Sequence, residues 1–245
     1  MTQTHPAARL FDGWNETLIW SCLDGIMGQL TCSEDGNSAM AEVADFTFFA
    51  GVPDKRLMTH SFARSFMLLV PQNEEWAAAI EEFYGDTVTK VTRYATQKTD
   101  AGFDPVKLRA ITEKVPEDCI LRGIDGEIFR ISKATPWMHD WTDQFDDYEQ
   151  FRRMGLGVVL IRNGEIVSGA STYTRYSRGI EIQIDTRKDC RGMGYASLTG
   201  ASLILESLDR GLYPSWDAAN LISLRLAEKL GYRFSHAYHA YALSR

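Results

Sequence analysis

The sequence predicts a mixed α/β protein whose second half is built on a largely antiparallel sheet flanked by helices. Three observations favour this class. Apolar runs with the alternation of strands recur along the chain, and amphipathic stretches with helix caps lie between them. The third observation is Asn163-Gly164, a strong hairpin signal between two apolar runs. Strands joined by a short hairpin are antiparallel, so a purely parallel sheet is excluded.

Composition limits the classes of partner. The chain has 245 residues, a length that allows one large domain or two small ones. Its residues are 44% hydrophobic and 24% charged, as is usual in globular proteins. A formal net charge of -7 argues against nucleic acid, because proteins that bind a phosphate backbone usually present a strongly basic face. No apolar run approaches the roughly 20 residues that span a bilayer, and we see no signal-peptide pattern. We therefore expect no membrane partner and a cytoplasmic location.

Cysteine spacing gives no sign of a metal site. The four cysteines form no C-x-x-C pair and no His/Cys cluster with zinc spacing: Cys22, Cys32, Cys119 and Cys190. We expect reduced thiols and no metal.

The first half alternates helices and strands. The run "NEEWAAAIEEFYG" predicts a helix capped by Asn73 and ended by Gly85. Another helix is expected from residue 12 to about residue 30, with Asp12 or Asn15 as its cap. Three further runs are typical of strands, "DFTFFAG", "FMLLVP" and "TVTKVTRYATQK". The pattern restarts near residue 119, so we divide the chain into an N-terminal mixed α/β domain, 1–118, and a second domain, 119–245.

The second half begins with a strand at residue 119. A helix is expected in "WTDQFDDYEQFRRMG", starting near Thr142 or Asp143, and a meander follows over residues 157–176. The remaining elements alternate strand, helix, strand, helix and strand: "GIEIQIDT", "YASLTGASLILESLDRG", "LYPSWDA", "NLISLRLAEKLG" and "YRFSHAYHAYAL".

The stretch from Glu181 to Leu208 carries the clearest functional signal. A strand of alternating polar and isoleucine residues runs into a loop with small residues at Gly192, Gly194 and Ala196, and a helix follows. Small residues let the backbone approach a ligand, and the first N–H groups of a helix favour an anion. Arg191 adds a charge that pairs with phosphate oxygens. This order predicts a pyrophosphate site, and a tight strand–helix turn is the plain alternative.

Other phosphate-binding motifs fit less well. No Gly-Lys-Ser/Thr is present, so the loop is not a P-loop. The preceding meander does not provide the βαβ unit of a dinucleotide-binding fold.

The order of elements resembles the GNAT superfamily of acyl-CoA N-acyltransferases. Arg191, Gly194 and Ala196 occupy the defined places of that family's Gln/Arg-x-x-Gly-x-Gly/Ala loop. Asn220 and the run Lys-Leu-Gly-Tyr at 229–232 match the family's last helix. The region around it further resembles a subfamily that includes the zwittermicin A resistance acetyltransferase. The resemblance to the superfamily covers the second domain. For the first domain, the resemblance is to the subfamily alone. One interpretation of the first domain is a degenerate GNAT-like unit.

The resemblance implies that the phosphates belong to acetyl-CoA, used as co-substrate. Backbone groups of Ile184, Asp185 and Thr186 would pair with the pantetheine arm as an added strand does. Asn220 would face the same arm or simply cap its helix, and the two roles are compatible. The residues implied at the pyrophosphate are Arg191, Gly192, Met193, Gly194, Tyr195, Ala196 and Ser197.

The acceptor implied is a primary amine that attacks the thioester directly in a ternary complex, which requires a base for the ammonium proton. Glu181, on the strand that leads to the loop, is the first candidate for that base. Asp185 on the same strand face and Asp217 beside Trp216 are the second and third. A surface charge pair across strands is the ordinary alternative for Glu181.

One departure from the family's pattern keeps a rival function open. The family often places a tyrosine, as general acid, four residues before the glycine of Lys-Leu-Gly, and that position is Ala227 here. Ser223 and Tyr238 are the replacements we consider. The rival is a non-catalytic acyl-CoA sensor or partner-binding module on the same scaffold. The identity of the amine acceptor and the formation of a homodimer are both left open.

Overall fold

The computed structural model describes residues 6–59, 64–99 and 102–244. The chain divides into two compact units, Met1–Arg93 with Ala237–Arg245, and Tyr94–His236. We call them the first and the second unit. This division follows spatial contact, whereas the predicted domain boundary at 118/119 follows the sequence pattern and stays a prediction.

The first unit is a sheet with helices. Its strands β1 to β4 lie in chain order, and the C-terminal strand β12 pairs antiparallel with β4. The β3–β4 pair is parallel, whereas β1–β2 and β2–β3 are antiparallel. The elements are β1 Gln29–Cys32, β2 Ser38–Val43, β3 Phe46–Gly51, β4 Phe66–Pro71, α1 Thr17–Leu23, α2 Lys55–Met58 and α3 Glu74–Tyr84. Two strands belong partly to each unit, with residues 94–96 of β5 Val88–Thr96 and residues 234–236 of β12 Phe234–Ser244 in the second.

The helix α3 confirms the cap prediction. Asn73 accepts a hydrogen bond from the backbone N–H of Trp76 at 2.9 Å, and the helix ends at Gly85 with a φ of 53°. Its apolar face is buried against the sheet, with Trp76 stacked on Phe49 at 4.8 Å between ring centroids.

The helix α1 is shorter than predicted. It begins at Thr17, and its cap is Glu16 rather than Asp12 or Asn15. Glu16 is buried, and its carboxylate accepts from the N–H of Leu18. The chain then turns at Gly28, whose φ is 82°, and enters β1, so residues 29 and 30 extend as a strand.

The second unit contains a five-stranded sheet in the order β10-β9-β8-β7-β6. All neighbours are antiparallel except β10 and β9, which run parallel for three residues. The elements are β6 Cys119–Gly123, β7 Gly157–Arg162, β8 Glu165–Tyr176, β9 Gly179–Thr186, β10 Tyr213–Ser215, β11 Asp217–Ala218, α4 Pro105–Thr112, α5 Gly126–Ala134, α6 Tyr148–Met154, α7 Tyr195–Asp209 and α8 Leu221–Leu230.

The predicted hairpin is confirmed. Asn163 and Gly164 have φ values of 51° and 84° and join β7 to β8, as a tight turn between antiparallel strands requires.

The helices α7 and α8 pack on one face of this sheet. The isoleucines of β9 lie in the same buried cluster as Leu203, Ile204 and Leu230. Gly200 permits the close approach, because a Cβ added there would lie 2.8 Å from Leu230 Cδ1 and 2.9 Å from Ile184 Cδ1. The opposite face of β9 carries Glu181, Gln183 and Asp185.

The helix α6 starts later than predicted. Asp147 caps it by accepting from the N–H of Gln150 at 2.7 Å, so the helix begins at Tyr148 rather than near Thr142. The preceding residues Pro136–Trp141 form a 3-10 turn instead, and we call this segment the Trp141 turn.

Among the described residues, no helix has the length and apolar character that crossing a bilayer requires.

Gly179 tests the contact between β9 and β10. A Cβ at this position would overlap the carbonyl oxygen of Tyr213, a backbone atom that cannot move without shifting β10. We expect Gly179→Ala to lower the free energy of unfolding by about 1–3 kcal/mol, measured by urea denaturation. The matched control is Gly123→Ala in β6, where an added Cβ meets its nearest atom at 3.8 Å. Equal stability of the two variants would contradict the close approach.

Candidate functional site

Strands β9 and β10 separate after a short parallel pairing. Their register ends with Ser215 opposite Glu181. The next residues, Asp217 and Ala218, pair instead with Ala95 and Tyr94 of β5. Among the described residues, no strand lies beside residues 182–186 on the side that β10 has left. This opening exposes a strand edge of the kind that accepts an extended ligand.

The chain leaves β9 through a loop that faces open space. Gly192 and Gly194 have φ values of 80° and 83°, a left-handed conformation that favours glycine. A Cβ added to either residue would meet no atom within 4 Å. The loop therefore leaves room for a ligand next to the first turn of α7.

The start of α7 is the feature that distinguishes this loop from a plain turn. No side chain caps it, whereas the other seven α-helices in the described part of the chain each have a side-chain cap. The first N–H groups of a helix lack intrahelical partners, and the helix dipole favours negative charge there. An anion bound at the N-terminal end of α7 would accept hydrogen bonds from these groups.

The cations around the loop differ in their pairing. Arg187 forms ion pairs with Glu165 at 2.9 Å and with Asp189 at 2.8 Å. Arg191 bonds the carbonyl of Thr186 at 3.3 Å through Nε. Lys229 reaches from α8 to Ser197 Oγ in the first turn of α7, at 3.0 Å. Within the described ranges no carboxylate lies within ion-pair distance of Arg191 or Lys229, so both charges are available to a phosphate.

Asn220 caps α8. Its Oδ1 accepts from the N–H of Ser223 at 2.9 Å, so the simple structural role is present. The side-chain amide nitrogen takes no part in that bond and remains a donor.

Two of the three candidate bases lie together where the strands separate. Glu181 and Asp217 are both buried, with exposed fractions of 3% and 6%. Glu181 Oε1 accepts a hydrogen bond from the backbone N–H of Asp217 at 2.5 Å. The contact fixes the Glu181 side chain at the start of the opening.

Asp185 lies farther along the same strand face, toward the loop. Its Oδ2 accepts from Trp141 Nε1 at 3.1 Å and from Gln183 Nε2 at 2.9 Å. Burial raises the pKa of Asp185, and the nearby Asp140 adds to the rise. The two hydrogen bonds and the charge of Arg191 act in the opposite direction.

The Trp141 turn covers this part of the strand face. Trp141 is fully buried, and its carbonyl accepts from Ser171 Oγ at 2.6 Å. Gly169 provides the space for the indole, because an added Cβ would lie 2.5 Å from Trp141 Cη2. The turn thus covers the strand face at Asp185.

The position of the family's usual general acid is buried and carries no hydroxyl. Ala227 is fully buried in the cluster that contains Trp216 and Tyr232. Tyr232 donates to the carbonyl of Pro214 at 2.6 Å, and burial raises its pKa well above the ordinary value. Tyr232 is therefore a structural residue rather than a replacement acid.

Sequence reasoning missed the roles of Trp141 and Lys229. Trp141 lies 44 residues from Asp185, and Lys229 lies 32 from Ser197, so no local pattern links either pair. The Lys-Leu-Gly run at 229–231 indicates a helix end and gives no role for the Lys229 side chain.

No group of three or more His, Cys, Asp or Glu side chains suited to holding a metal ion is present among the described residues.

Comparison with known proteins identifies the class. A sequence profile of the GNAT acetyltransferases matches residues 8–241. A GCN5-related N-acetyltransferase-like protein from Streptococcus suis 89/1591 has 46% identity and a TM-score of 0.92, over 97% of this chain and 96% of that chain. A GCN5-related N-acetyltransferase from Kribbella flavida shares only the fold, with 15% identity and a TM-score of 0.58, over 96% of this chain and 95% of that chain.

The curated relative is more distant. An uncharacterized N-acetyltransferase of Bacillus subtilis strain 168, YdfB, is 24% identical over 176 residues, which is 71% of this chain and 64% of that protein. The match thus spans less than two thirds of the length of the Bacillus subtilis protein. The profile match over nearly the whole chain is decisive. The chain belongs to the GNAT acetyltransferase family, whose members use acetyl-CoA, and the expected mixed α/β fold is confirmed.

The raised pKa of Asp185 predicts a pH-dependent stability. The folded state holds this proton more tightly than the unfolded chain, so the associated stability is present at low pH and lost as pH rises through the raised pKa. Asp185→Asn stays neutral at every pH. We expect the free energy of unfolding of this variant, minus that of the wild type, to grow as pH rises above about pH 4 in urea denaturation series.

Asp189 supplies a control of opposite sign. Its hydrogen bond with Arg187 lowers the pKa of Asp189, so the wild type gains stability as pH rises through the lowered pKa. The same difference for Asp189→Asn should shrink with rising pH, below about pH 4. A flat difference for Asp185→Asn would contradict the assignment.

Proposed function

We propose that the protein transfers an acetyl group from acetyl-CoA to a primary amine of a small molecule or peptide, by direct attack in a ternary complex. The observation that carries this proposal is the uncapped start of α7, behind two left-handed glycines that face open space. This arrangement accepts a pyrophosphate through backbone N–H groups. The free edge of β9 leads from it toward the buried carboxylates, as an acyl-pantetheine arm would require.

The coenzyme contacts follow from this placement. The pyrophosphate would lie against residues 192–197, with Arg191 and Lys229 supplying positive charge. The pantetheine arm would pair with Ile184, Asp185 and Thr186 along the free edge of β9, and Asn220 would donate to it from the other side. The rise along a strand is about 3.3 Å per residue. The five residue-to-residue steps from Thr186 back to Glu181 therefore span roughly 17 Å. An extended pantetheine arm has a similar length, which brings the thioester near Glu181.

The chemistry needs a proton acceptor and a leaving thiolate. The ammonium form of the amine gives up one proton, its nitrogen then bonds the thioester carbonyl carbon, and the C–S bond breaks. The electron pair of that bond leaves on the sulfur, which takes up the second amine proton. Glu181 is the proposed acceptor of the first proton, since it lies at the start of the opening. Asp185 and Asp217 remain the competing carboxylates.

The amine acceptor is proposed only as a class of compound. The sequence resemblance to the subfamily of the zwittermicin A resistance acetyltransferase supports a small amino compound. The polar face of β9, opposite α7, is where such an amine would approach. We propose that the first domain, 1–118, is a degenerate GNAT-like unit. We also propose a cytoplasmic location and a homodimer.

The test of the activity is transfer from isotope-labelled acetyl-CoA to a library of amines. Labelled acyl product means an enzyme. Tight coenzyme binding by calorimetry, without product from any amine, would favour the rival acyl-CoA sensor, which the alanine at position 227 keeps open. No detectable binding would remove the coenzyme site itself.

Arg191 tests the placement of the phosphates. We expect Arg191→Ala to raise the KM for acetyl-CoA roughly tenfold, because it removes a charge-assisted hydrogen bond. The effect should be larger at low salt, and the KM for the amine should change little. Lys188→Ala is the matched control, since Lys188 is an exposed cation of the same loop. Equal effects of the two variants, or a change only in the amine KM, would show that the substrates are placed wrongly.

Glu181 tests the proton acceptor. Glu181→Gln retains an oxygen that can accept from the Asp217 N–H, but it no longer takes up a proton. We expect kcat to fall roughly 10²-fold or more at pH 7, with little change in coenzyme affinity. The loss should shrink at high pH, where the amine is already neutral. Asp185→Asn and Asp217→Asn are the comparisons, and a larger loss in either would transfer the role to that residue.

A further inference from the structure

The hydroxyl of Thr174 is a buried polar group without a partner. Thr174 is fully buried in β8, and its Oγ1 has no hydrogen-bond partner in the part of the chain that the structure describes. Thr172, two residues earlier, accepts from the N–H of Leu156 at 2.8 Å and is satisfied. A buried hydroxyl left unpaired costs about 1–3 kcal/mol, so Thr174 calls for a functional explanation.

The position of Thr174 supplies that explanation. It lies directly opposite Glu181 in the β8–β9 ladder, and the register shifts between Thr172 and Thr174. The extra residue of this bulge is Tyr173. Opposed residues on antiparallel strands have Cβ atoms about 4.5–5.5 Å apart on one face of the sheet. The bulge therefore presents the hydroxyl on the same side as the proposed proton acceptor.

A water molecule would satisfy both groups. Buried water is stable where about two to four polar partners converge. The Thr174 hydroxyl and the Glu181 carboxylate provide two partners, and an incoming ammonium group provides a third. The described contacts of the Trp141 turn on β8 are with Gly169 and Ser171, which precede Thr174 in that strand.

We propose that Thr174 is a positioning residue that holds the water through which the acceptor ammonium passes its proton to Glu181. The water gives one proton to the carboxylate and takes one from the ammonium, so it is unchanged overall. The neutral amine then attacks the thioester as described above. This inference rests on the proposed acetyl transfer.

The titratable groups around Glu181 come from several elements. Tyr176 lies on β8, Tyr213 on β10 and Asp217 on β11, and Tyr232 follows α8. Burial is the main cause of the raised pKa of Tyr232, and Tyr213, Glu181 and Tyr176 add to it. The raised pKa keeps the Tyr232 phenol protonated at neutral pH, so the ionisation of the amine is expected to dominate the pH dependence of the Thr174 variants.

Isosteric substitution tests the role. We expect Thr174→Val to lower kcat on the order of tenfold at pH 7, with the KM for acetyl-CoA unchanged, because the relay water loses one of its partners. The loss should fade at high pH, where the amine needs no relay. Thr174→Ser, which keeps the hydroxyl, should restore most of the activity. Valine has nearly the shape of threonine and serine keeps the hydroxyl, so both variants should fold.

Thr47 is the matched control. It is a fully buried threonine in β3 of the first unit whose Oγ1 also has no hydrogen-bond partner among the described residues. Thr47→Val should leave kcat and its pH profile at wild-type values. A wild-type kcat and pH profile for Thr174→Val would overturn the proposal, and so would an equal loss in both variants.

A crystal structure separates this proposal from the proposed function. A water within hydrogen-bond distance of Thr174 Oγ1 and the Glu181 carboxylate supports the relay. A Thr174 hydroxyl that donates to a protein carbonyl, with no water at Glu181, overturns it even in an active enzyme. Failure of the wild type to acetylate any amine would instead refute the proposed function, and it would be seen before any variant is compared.

Discussion

The hydrogen bond from the Asp217 N–H to Glu181 lies at the point on which the candidate site depends. On one side of it β10 is paired with β9, and beyond it the chain turns away to pair with β5. A carboxylate acceptor satisfies a buried backbone N–H that the ladder no longer serves. The opening can therefore start abruptly, inside a buried region, without an unpaired amide at its apex. The free edge of β9, the glycine loop and the polar face of β9 are all positioned relative to this hydrogen bond.

The two ends of the opening are built by opposite means. At the inner end the buried Glu181 carboxylate accepts a hydrogen bond from the backbone N–H of Asp217. At the outer end the backbone is left with donors, because Gly194 brings no capping side chain to α7. Rigid acceptors at one end and free donors at the other suit a ligand that is uncharged at its reactive tip and anionic at its tail.

Much of the fold, and part of the site, can be predicted from sequence because the signals are local. Asn73, Asn163-Gly164 and Asn220 act on atoms a few residues away, and the structure confirms these turns and caps. The α6 prediction was wrong at its start because aromatic and acidic residues recur at helical spacing before Asp147, whose cap decides the boundary. Contacts such as Trp141 with Asp185 depend on sheet register and on the path of a 3-10 turn, which no window of sequence contains.

The uncapped start of α7 has a consequence for the lifetime of the protein. A missing cap typically costs a helix about 1 kcal/mol, and ligand that binds only the folded state restores stability as its concentration exceeds its Kd. A protein of marginal stability is removed by proteases through its unfolded fraction. With an anionic ligand bound at this end of α7, the folded fraction, and with it resistance to proteolysis, would rise with the ligand concentration.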